Sequence, residues 1–308
     1  MFFRNITLFR FPLEHSGKET SSKLKKLEHK LSEHALRPCG PLELSTRGWV
    51  SPFGRGEDAF SHAIGPYVLL TLGGEDKLLP GSVVNQALAE KMEKLEKQRG
   101  KPVGGRERRK LKDEVLTDLM PRALARPSRL MGYLDTANGW IVVDSSSRKA
   151  AETFVSKLRE ALGSFPAVQA EAEESPRAVM TEWLIDGRLP KGWVLGDECE
   201  LKDPADQGAI VRCRRQELES DEVREHLKSG KQVTQLALVF EERMRFVLDE
   251  NLTLRKYKML DIATESLESG DRESANAELD ARFALMTHEL ALLFKAIETI
   301  FGVPRPHG

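Results

Sequence analysis

Residues 129–144 read RLMGYLDTANGWIVVD, and this stretch decides the fold. Its β-branched and aromatic residues on both sides of Ala137-Asn138-Gly139 predict two strands, Arg129–Thr136 and Trp140–Asp144, joined by a turn. A helix is predicted next, from Ser147 to Leu162. Strand, strand and helix in this order favour antiparallel sheets covered by helices, which is the α+β class.

The sequence before this hairpin predicts a similar arrangement of strands and a helix. Residues 1–11 alternate as a strand that is apolar on one face near its centre. A helix that ends at Pro38-Cys39-Gly40 is predicted from four apolar positions at helical spacing: Leu24, Leu27, Leu31 and Ala35. Three short strands follow, separated by Gly65-Pro66 and Gly73-Gly74, at 58–64, 66–73 and 75–79.

Residues 80–121 differ in composition from the strands on either side. Two amphipathic helices are predicted from apolar positions at helical spacing: Val84, Leu88, Met92 and Leu95 in the first, and Leu111, Val115 and Leu119 in the second. A turn at 100–105 joins them, and Pro121 ends the second. So few large apolar residues cannot form a core alone. We therefore predict a helical hairpin that projects from the sheet.

The C-terminal portion predicts a second sheet and a long helix. A helix begins at Ser175-Pro176, because proline is favoured in the first helical turn. Another short helix follows Ser220, and five strands are predicted at 193–201, 209–215, 232–240, 243–249 and 252–259. The last helix carries a heptad seam: Leu279, Phe283, Met286, Leu290, Leu293, Ile297 and Ile300. Such a seam either covers a sheet of its own chain or forms a dimer contact, and the sequence leaves both open.

These elements together predict an α+β protein with antiparallel sheets and packed helices, a projecting helical hairpin and a long C-terminal helix. Three domains are expected from the order of the elements. A central α+β domain takes residues 1–79 and 123–174, the basic hairpin at 80–122 forms a tip, and residues 175–308 form an α+β base.

Composition limits the classes of function. The chain has 308 residues, with 47 Lys and Arg against 48 Asp and Glu and a net charge of -1. With 40% hydrophobic residues this balance excludes a disordered chain, and the total by itself argues against nucleic-acid binding. Three cysteines without a C-x-x-C pair, and an N-terminal segment interrupted by Arg4 and Arg10, predict a cytoplasmic protein without disulfides, a membrane span or a signal peptide.

Motifs of common enzymes are incomplete in this sequence. Gly17-Lys18-Glu19 lacks the hydroxyl residue of a phosphate-binding loop, and residues 54–59 lack the strand-to-helix context of a dinucleotide fingerprint. The seven His residues have no metal-ligand spacing, so no metal, cofactor or catalytic residue is predicted. Paired acids such as Glu57-Asp58 and Asp113-Glu114 keep open the alternative of a metal-dependent nuclease.

The positions of the charges are more informative than their sum. Residues 97–112 contain eight bases and one acid, a net charge of +7, whereas residues 259–300 have a net charge of -6. Repulsion among so many neighbouring bases indicates a polyanionic partner, although a solvated face without a ligand stays open. The first hairpin helix is more neutral, since Glu90-Lys94 and Glu93-Lys97 are predicted i,i+4 pairs.

A second basic cluster lies at the end of a predicted strand, at Arg212-Cys213-Arg214-Arg215-Gln216. Alternation places Arg212, Arg214 and Gln216 on one face of the strand, and Cys213 and Arg215 on the other unless the strand ends there. Arginine binds phosphate through two N–H groups, and glutamine can donate a hydrogen bond to it. The strand end is therefore a second candidate contact with a nucleic-acid backbone.

Several uncommon strings point to one family. In the N-terminal half they are Phe3-Arg4-Asn5, Pro38-Cys39-Gly40, Gly48-Trp49-Val50-Ser51-Pro52, Leu111-Lys112-Asp113-Glu114-Val115-Leu116 and Leu119-Met120-Pro121-Arg122-Ala123. In the C-terminal half they are Met180-Thr181-Glu182-Trp183 and Phe283-Ala284-Leu285-Met286-Thr287 with Glu289-Leu290. Over nearly its whole length the chain resembles the RdgC family of bacterial recombination-associated proteins.

The resemblance implies a ring-shaped homodimer that encircles double-stranded DNA without sequence preference and limits access of the RecA recombinase. It also implies a nucleoid-associated protein that is not an enzyme. Carried onto this chain, the hairpin becomes the tip of each half-ring, with a dimer contact at Pro121 and Leu124. The family carries an aromatic residue where this chain has Leu124, so tip closure is expected to be weaker or differently packed.

The predicted DNA-binding residues lie on the hairpin, just after it, and at the strand end: Lys97, Arg99, Lys101, Arg106, Arg108, Arg109, Lys112, Arg122, Arg212, Arg214, Arg215 and Gln216. The resemblance adds support for three of them, Arg122, Arg215 and Gln216. A protein-interaction adaptor, whose basic arm binds an acidic partner, is the remaining alternative beside the nuclease.

Overall fold

The computed structural model describes residues 2–12, 26–54, 56–205, 209–268 and 274–306. Within them the chain forms two antiparallel sheets and eight helices, so the predicted α+β class is confirmed. Gly17-Lys18-Glu19, Leu24 and Arg55 lie outside the described residues. No helix in the described part of the chain is long and apolar enough to cross a membrane.

The first sheet contains seven strands in the order β2-β4-β5-β6-β1-β7, with β3 paired to β4. They are β1 Thr7–Arg10, β2 Ser45–Val50, β3 Ser61–Ile64, β4 Tyr67–Lys77, β5 Ala125–Asp135, β6 Trp140–Val143 and β7 Val168–Gln169. The hairpin predicted from residues 129–144 lies at the centre of this sheet, where β5 and β6 pair with Asp135 opposite Trp140.

The second sheet contains five strands in the order β12-β11-β10-β8-β9. They are β8 Trp193–Lys202, β9 Ile210–Arg214, β10 Gln232–Phe240, β11 Met244–Asp249 and β12 Leu254–Met259, all close to their predicted ranges. Two backbone hydrogen bonds of 2.7 and 2.9 Å between Ile6 and Leu254 connect β12 to the segment before β1. The two sheets are thereby joined.

The described part of the chain contains eight helices. They are α1 at 26–33, α2 Gly81–Arg99, α3 Gly105–Leu119, α4 Arg148–Leu162, α5 Pro176–Asp186, α6 Asp221–Lys228, α7 Asp261–Glu268 and α8 Ala275–Phe301. The Ser147 hydroxyl accepts a 3.4 Å hydrogen bond from the Ala150 N–H, and Ser175 does the same for Ala178 at the start of α5. These bonds satisfy N–H groups that lack a partner within the first helical turn.

The heptad seam of α8 lies inside the chain's own core. Five of its seven residues are buried: Phe283, Met286, Leu290, Leu293 and Ile297. They share one hydrophobic cluster with residues of both sheets, and the Phe294 ring lies 5.4 Å from the ring of Trp140. Each buried side chain of this size contributes about 1.5–3 kcal/mol. Of the two alternatives for the seam, the structure therefore confirms that it covers sheets of its own chain.

Gly73-Gly74 does not separate two strands, and that prediction was wrong. β4 continues through both glycines and pairs with β2 and β5 on either side. A Cβ atom on Gly73 would lie 2.7 Å from Val50 Cγ1, and one on Gly74 would lie 2.7 Å from Arg47 Nη1. The glycines are therefore required for close packing of neighbouring side chains rather than for a turn.

The first helix ends earlier than predicted, because Ala35 belongs to a strand-like contact instead. α1 ends at residue 33, and Ala35 forms an isolated parallel bridge with Trp49 of β2. The Leu36 N–H donates to the Trp49 carbonyl at 2.9 Å, and the Trp49 N–H donates to the His34 carbonyl at 2.9 Å. Backbone pairing with β2, a strand that the sequence pattern did not reveal, thus overrides helical propensity here.

Gly48→Ala is expected to lower the free energy of unfolding by about 1–3 kcal/mol, the usual cost of overpacking. A Cβ at this position would lie 2.5 Å from the Leu36 Cα, and a backbone atom cannot move aside as a side-chain end can. Urea denaturation measures the change. Gly105→Ala is the control, since a Cβ there meets nothing within 4 Å. Equal stability of the two variants would contradict the tight packing.

Candidate nucleic-acid interface

The helical hairpin stands at one end of the first sheet. β4 and β5 lead to it, and residues 125–129 of β5 are all exposed. The Leu78 N–H donates to the Leu124 carbonyl at 2.9 Å, and the Lys77 ammonium donates to the Met120 carbonyl at 2.9 Å. These two bonds tie the chain entering the hairpin to the chain leaving it.

The two helices of the hairpin pack against each other through a short apolar contact. Val84 and Leu88 of α2 and Val115 of α3 are its buried residues. Gly100 ends α2 with a φ of 65°, a left-handed conformation that suits glycine. The Glu96 carboxylate then accepts a 2.8 Å hydrogen bond from the Val103 N–H and orders the turn. The predicted hairpin of two helices and a turn is confirmed.

Two of the predicted DNA-binding residues in the hairpin form ion pairs within it. Lys97 contacts Glu93 at 2.5 Å as predicted, and Arg99 pairs with Glu107 across the turn. The predicted pair of Glu90 with Lys94 is not formed among the described residues. Glu90 instead accepts a 3.3 Å hydrogen bond from the Gln86 amide, which is also one helical turn away.

The bases of the turn and α3 are exposed and form no ion pair with another described residue. They are Lys101, Arg106, Arg108, Arg109, Lys110 and Lys112. Arg108 and Lys112 are separated by one turn of α3 and share a face, with Arg109 beside them. The turn and α3 therefore present six uncompensated positive charges within twelve residues, counted from Lys101 to Lys112.

The bases that follow the hairpin divide into two kinds. Arg122 and Arg126 are exposed and have no ion pair in the described part of the chain. Arg129 instead donates from Nη2 to the carbonyl of Ser51, and desolvation of its guanidinium group lowers its pKa. Arg122 therefore stays available as a contact, whereas Arg129 holds the loop that follows β2.

The two predicted dimer-contact residues lie on the surface beside the hairpin. Pro121 is exposed, and the Leu124 side chain is 78% exposed. Leu78, which is 45% exposed, pairs with Leu124 across the ends of β4 and β5. Two large apolar side chains are thus exposed where the chain enters and leaves the hairpin.

The second predicted cluster lies at the free edge of the second sheet. β9 ends at Arg214, and Arg215 has a φ of 55°, so the alternative in which the strand ends there is confirmed. Arg212 pairs with Glu200 of β8 at 2.7 Å, while Arg214 and Arg215 are exposed without an ion pair among the described residues. Gln216 is half-buried, and its N–H donates to the Asp197 carbonyl at 3.4 Å.

A groove of about 920 Å³ brings this cluster together with bases that the sequence analysis missed. Arg214, Arg215 and Gln216 line it from the β9 side, and Arg245 of β11 and Lys256 of β12 line it from the other side. The available signal was alternation: Arg245 follows Met244 and precedes Phe246, both buried. The hairpin bases and these groove residues lie on different sheets of the chain.

The sequence left open a metal site built from paired acids. Among the described residues, no three His, Cys, Asp or Glu side chains form a group that could hold a metal ion. Glu114 lies 3.9 Å from the Lys91 ammonium, which also contacts Asp118 at 2.7 Å. These acids therefore stabilise the contact of α3 with α2.

Comparisons with known proteins agree with the resemblance in the sequence. A family model described as "Putative exonuclease, RdgC" matches residues 1–304. A "Recombination-associated protein RdgC" from Xanthomonas campestris pv. campestris (strain B100) is 48% identical over 299 residues, which is 97% of each chain. The protein of that name from Stenotrophomonas maltophilia (strain R551-3) is 46% identical over 306 residues, which is 99% of each chain. The chain therefore belongs to the RdgC family.

Proposed function

We propose that this protein binds double-stranded DNA without sequence preference, as a homodimer closed into a ring, and modulates homologous recombination by limiting RecA access. The main observation in support of DNA binding is the set of six exposed bases without ion pairs on the turn and α3. Flexible cations on an open surface attract phosphates and release counterions, and such contacts carry no base information. The relatives' name, recombination-associated protein, supports the process but not this mechanism.

Ring closure is proposed at the apolar surface beside the hairpin. Leu78 and Leu124 are exposed neighbours, and burying them against the same residues of a second copy would remove both pairs from water. A two-fold contact at this place sets two hairpins side by side. Their bases would then face a common space, and DNA held there would be physically blocked from RecA. Overall neutrality is compatible with this arrangement, because the charges are separated in the chain.

Replacing Arg108, Arg109 and Lys112 together by Ala is expected to flatten the salt dependence of duplex binding. Each phosphate contact contributes about -0.9 to the slope of log K against log salt, so three lost contacts change the slope by up to about 2.7. Fluorescence anisotropy with a short random-sequence duplex measures it. The control replaces Arg148, Lys157 and Lys228, three bases held in ion pairs on α4 and α6. An unchanged slope in the hairpin variant would show that these hairpin bases do not contact the DNA.

We propose a non-enzymatic role, and the description of the family model as an exonuclease gives a direct test of it. End-labelled linear duplex is incubated with the protein and Mg²⁺ or Mn²⁺, and the products are resolved on a denaturing gel. Intact strands are expected. Metal-dependent release of nucleotides that a chelator abolishes would establish the nuclease alternative instead.

A gel-shift experiment with the same random-sequence duplex distinguishes the proposed DNA-binding function from the adaptor alternative. A protein that binds only an acidic protein partner through its basic arm would not shift random-sequence DNA in a gel at moderate salt. We expect a shift that does not depend on the sequence of the duplex and that disappears as salt rises.

A further inference from the structure

We propose that the open face of the second sheet is a second phosphate-binding surface, formed by Arg214, Arg215, Arg245 and Lys258. This inference rests on the proposed function, because the phosphates are those of the bound duplex. Arg245 and Lys258 are register partners on β11 and β12. Both are exposed and have no ion pair among the described residues, and the buried neighbours Met244 and Met259 lie on the opposite face.

The face forms a groove of about 920 Å³, and an ion pair crosses it. The Lys256 ammonium contacts the Glu198 carboxylate at 2.6 Å, although two strands, β11 and β10, separate β12 from β8. In a flat sheet three strand spacings of about 4.8 Å would place these backbones about 14 Å apart. Extended Lys and Glu side chains reach across this width, so the pair spans the groove from β12 to β8, and Ala237 and Val247 lie between them in the lining.

A bulge directs Lys256 into the groove. Arg245 pairs with Lys258 and Val247 with Arg255, so two residues of β12 lie opposite the single residue between Arg245 and Val247. Lys256 takes a φ of 53° at this bulge, an uncommon conformation for a residue with a side chain. Arg215 has a similar φ of 55° on the other side of the groove. Such conformations concentrate at functional sites.

The balance of charge in the groove favours an anion. Its lining contains the bases Arg214, Arg215, Arg245 and Lys256 and the acids Asp197, Glu198 and Glu217. Glu198 is compensated by Lys256, and Lys258 adds a further base beside Arg245. Four uncompensated bases thus stand against two acids. Bases on both rims of a concave surface suit the phosphates of a backbone that lies along it.

Two variants of the groove test the proposal because their expected effects are opposite. Replacing Arg245 and Lys258 together by Gln is expected to flatten the salt slope of duplex binding by up to about 1.8, the contribution of two phosphates. Glu198→Gln frees Lys256 and removes an acid, so it is expected to tighten binding and to steepen the slope by about 0.9. A purely structural role of the Lys256 and Glu198 pair would weaken binding instead.

Matched controls exclude an effect of total charge. Glu160→Gln removes an exposed acid that contacts Lys157 on α4, and Arg148→Gln with Lys157→Gln removes two bases of that helix. These variants are expected to leave the slope unchanged, and thermal melting is measured for each protein. Wild-type slopes in both groove variants would overturn the inference while leaving the proposed function intact. Failure of the wild-type protein to bind duplex would overturn the proposed function itself.

A competitor distinguishes DNA from an acidic protein as the occupant of the groove. Polyglutamate is titrated into wild-type protein and into the variant that lacks Arg245 and Lys258. If the variant loses affinity for polyglutamate but keeps its affinity for duplex, the groove binds an acidic partner and the proposal fails. Loss of affinity for duplex is the expected result.

Discussion

Dimers in which the two copies are joined through Leu124→Cys are expected to bind linear duplex but to fail on covalently closed circles. The reason is topological: a locked ring admits a free end, whereas a circle has none. Leu124 suits the cross-link because it is 78% exposed and lies beside the proposed two-fold axis. Native gels of locked protein with each form of the DNA measure loading, which should fall to background for circles.

Reversing the order of the steps provides the complementary result. Protein bound to circles first and locked afterwards should stay on them at high salt, where phosphate contacts no longer hold it. The experiment uses Cys39→Ser, because Cys39 is partly exposed while Cys199 and Cys213 are buried. Ile185→Cys, 54% exposed on α5, is the control position. Undiminished loading of circles by the locked dimer would contradict encirclement.

Arg243→Ala is expected to lower the free energy of unfolding by about 3–5 kcal/mol, because it leaves a buried carboxylate without its counter-charge. Glu289 of α8 is 1% exposed, and both of its oxygens accept hydrogen bonds from Arg243 Nε, at 3.0 and 2.8 Å. The bonds to Glu289 raise the pKa of Arg243. Burial, with a smaller contribution from the Glu289 charge, raises the pKa of Tyr257. The pair thus fixes α8 to the turn between β10 and β11.

Two further variants identify the cause of this loss. Glu289→Gln removes the buried charge together with the pair, so its loss should be smaller than that of Arg243→Ala. Replacing both residues by Met should restore much of the stability, since apolar side chains of similar volume often replace a buried ion pair at little cost. Guanidinium denaturation measures all three. A double variant as unstable as Arg243→Ala would contradict the assignment to an uncompensated carboxylate.

Local patterns were sufficient for most of the fold. The seam of α8, the helix starts at Ser147 and Ser175 and the strands of the second sheet depend on residues close in sequence, and all are confirmed. Gly73-Gly74 was misread because glycine marks both turns and close packing, and only the side chains of neighbouring strands distinguish them. The helix predicted through Ala35 ends earlier because Trp49, the backbone partner of Ala35, lies in another element.

The candidate site was predictable only where charges pair along one helix. Glu93 and Lys97 are one turn apart, so their contact follows from the sequence. Arg99 pairs with Glu107 across the turn between two helices, and Arg212 pairs with Glu200 on the neighbouring strand. Neither ion pair could be predicted without knowing how the two helices and the two strands are aligned. The groove bases Arg245 and Lys256 were missed because the order of strands in the sheet, which no local pattern encodes, places them across the groove from Arg214.

The two strands that lead to the hairpin also determine how rigidly it is attached to the core. β4 and β5 pair without interruption from Tyr67 with Asp135 to Lys77 with Ala125, and eleven residues of ladder reach about 35 Å. A hydrogen-bonded ribbon of this length resists bending within its plane, so it forms a stiff connection between the core and the helical hairpin. In a ring built on it, a force on the DNA is carried into the core. In the proposed ring, opening would then depend on the apolar contact at Leu124, and the lifetime of this contact would set how quickly the ring opens.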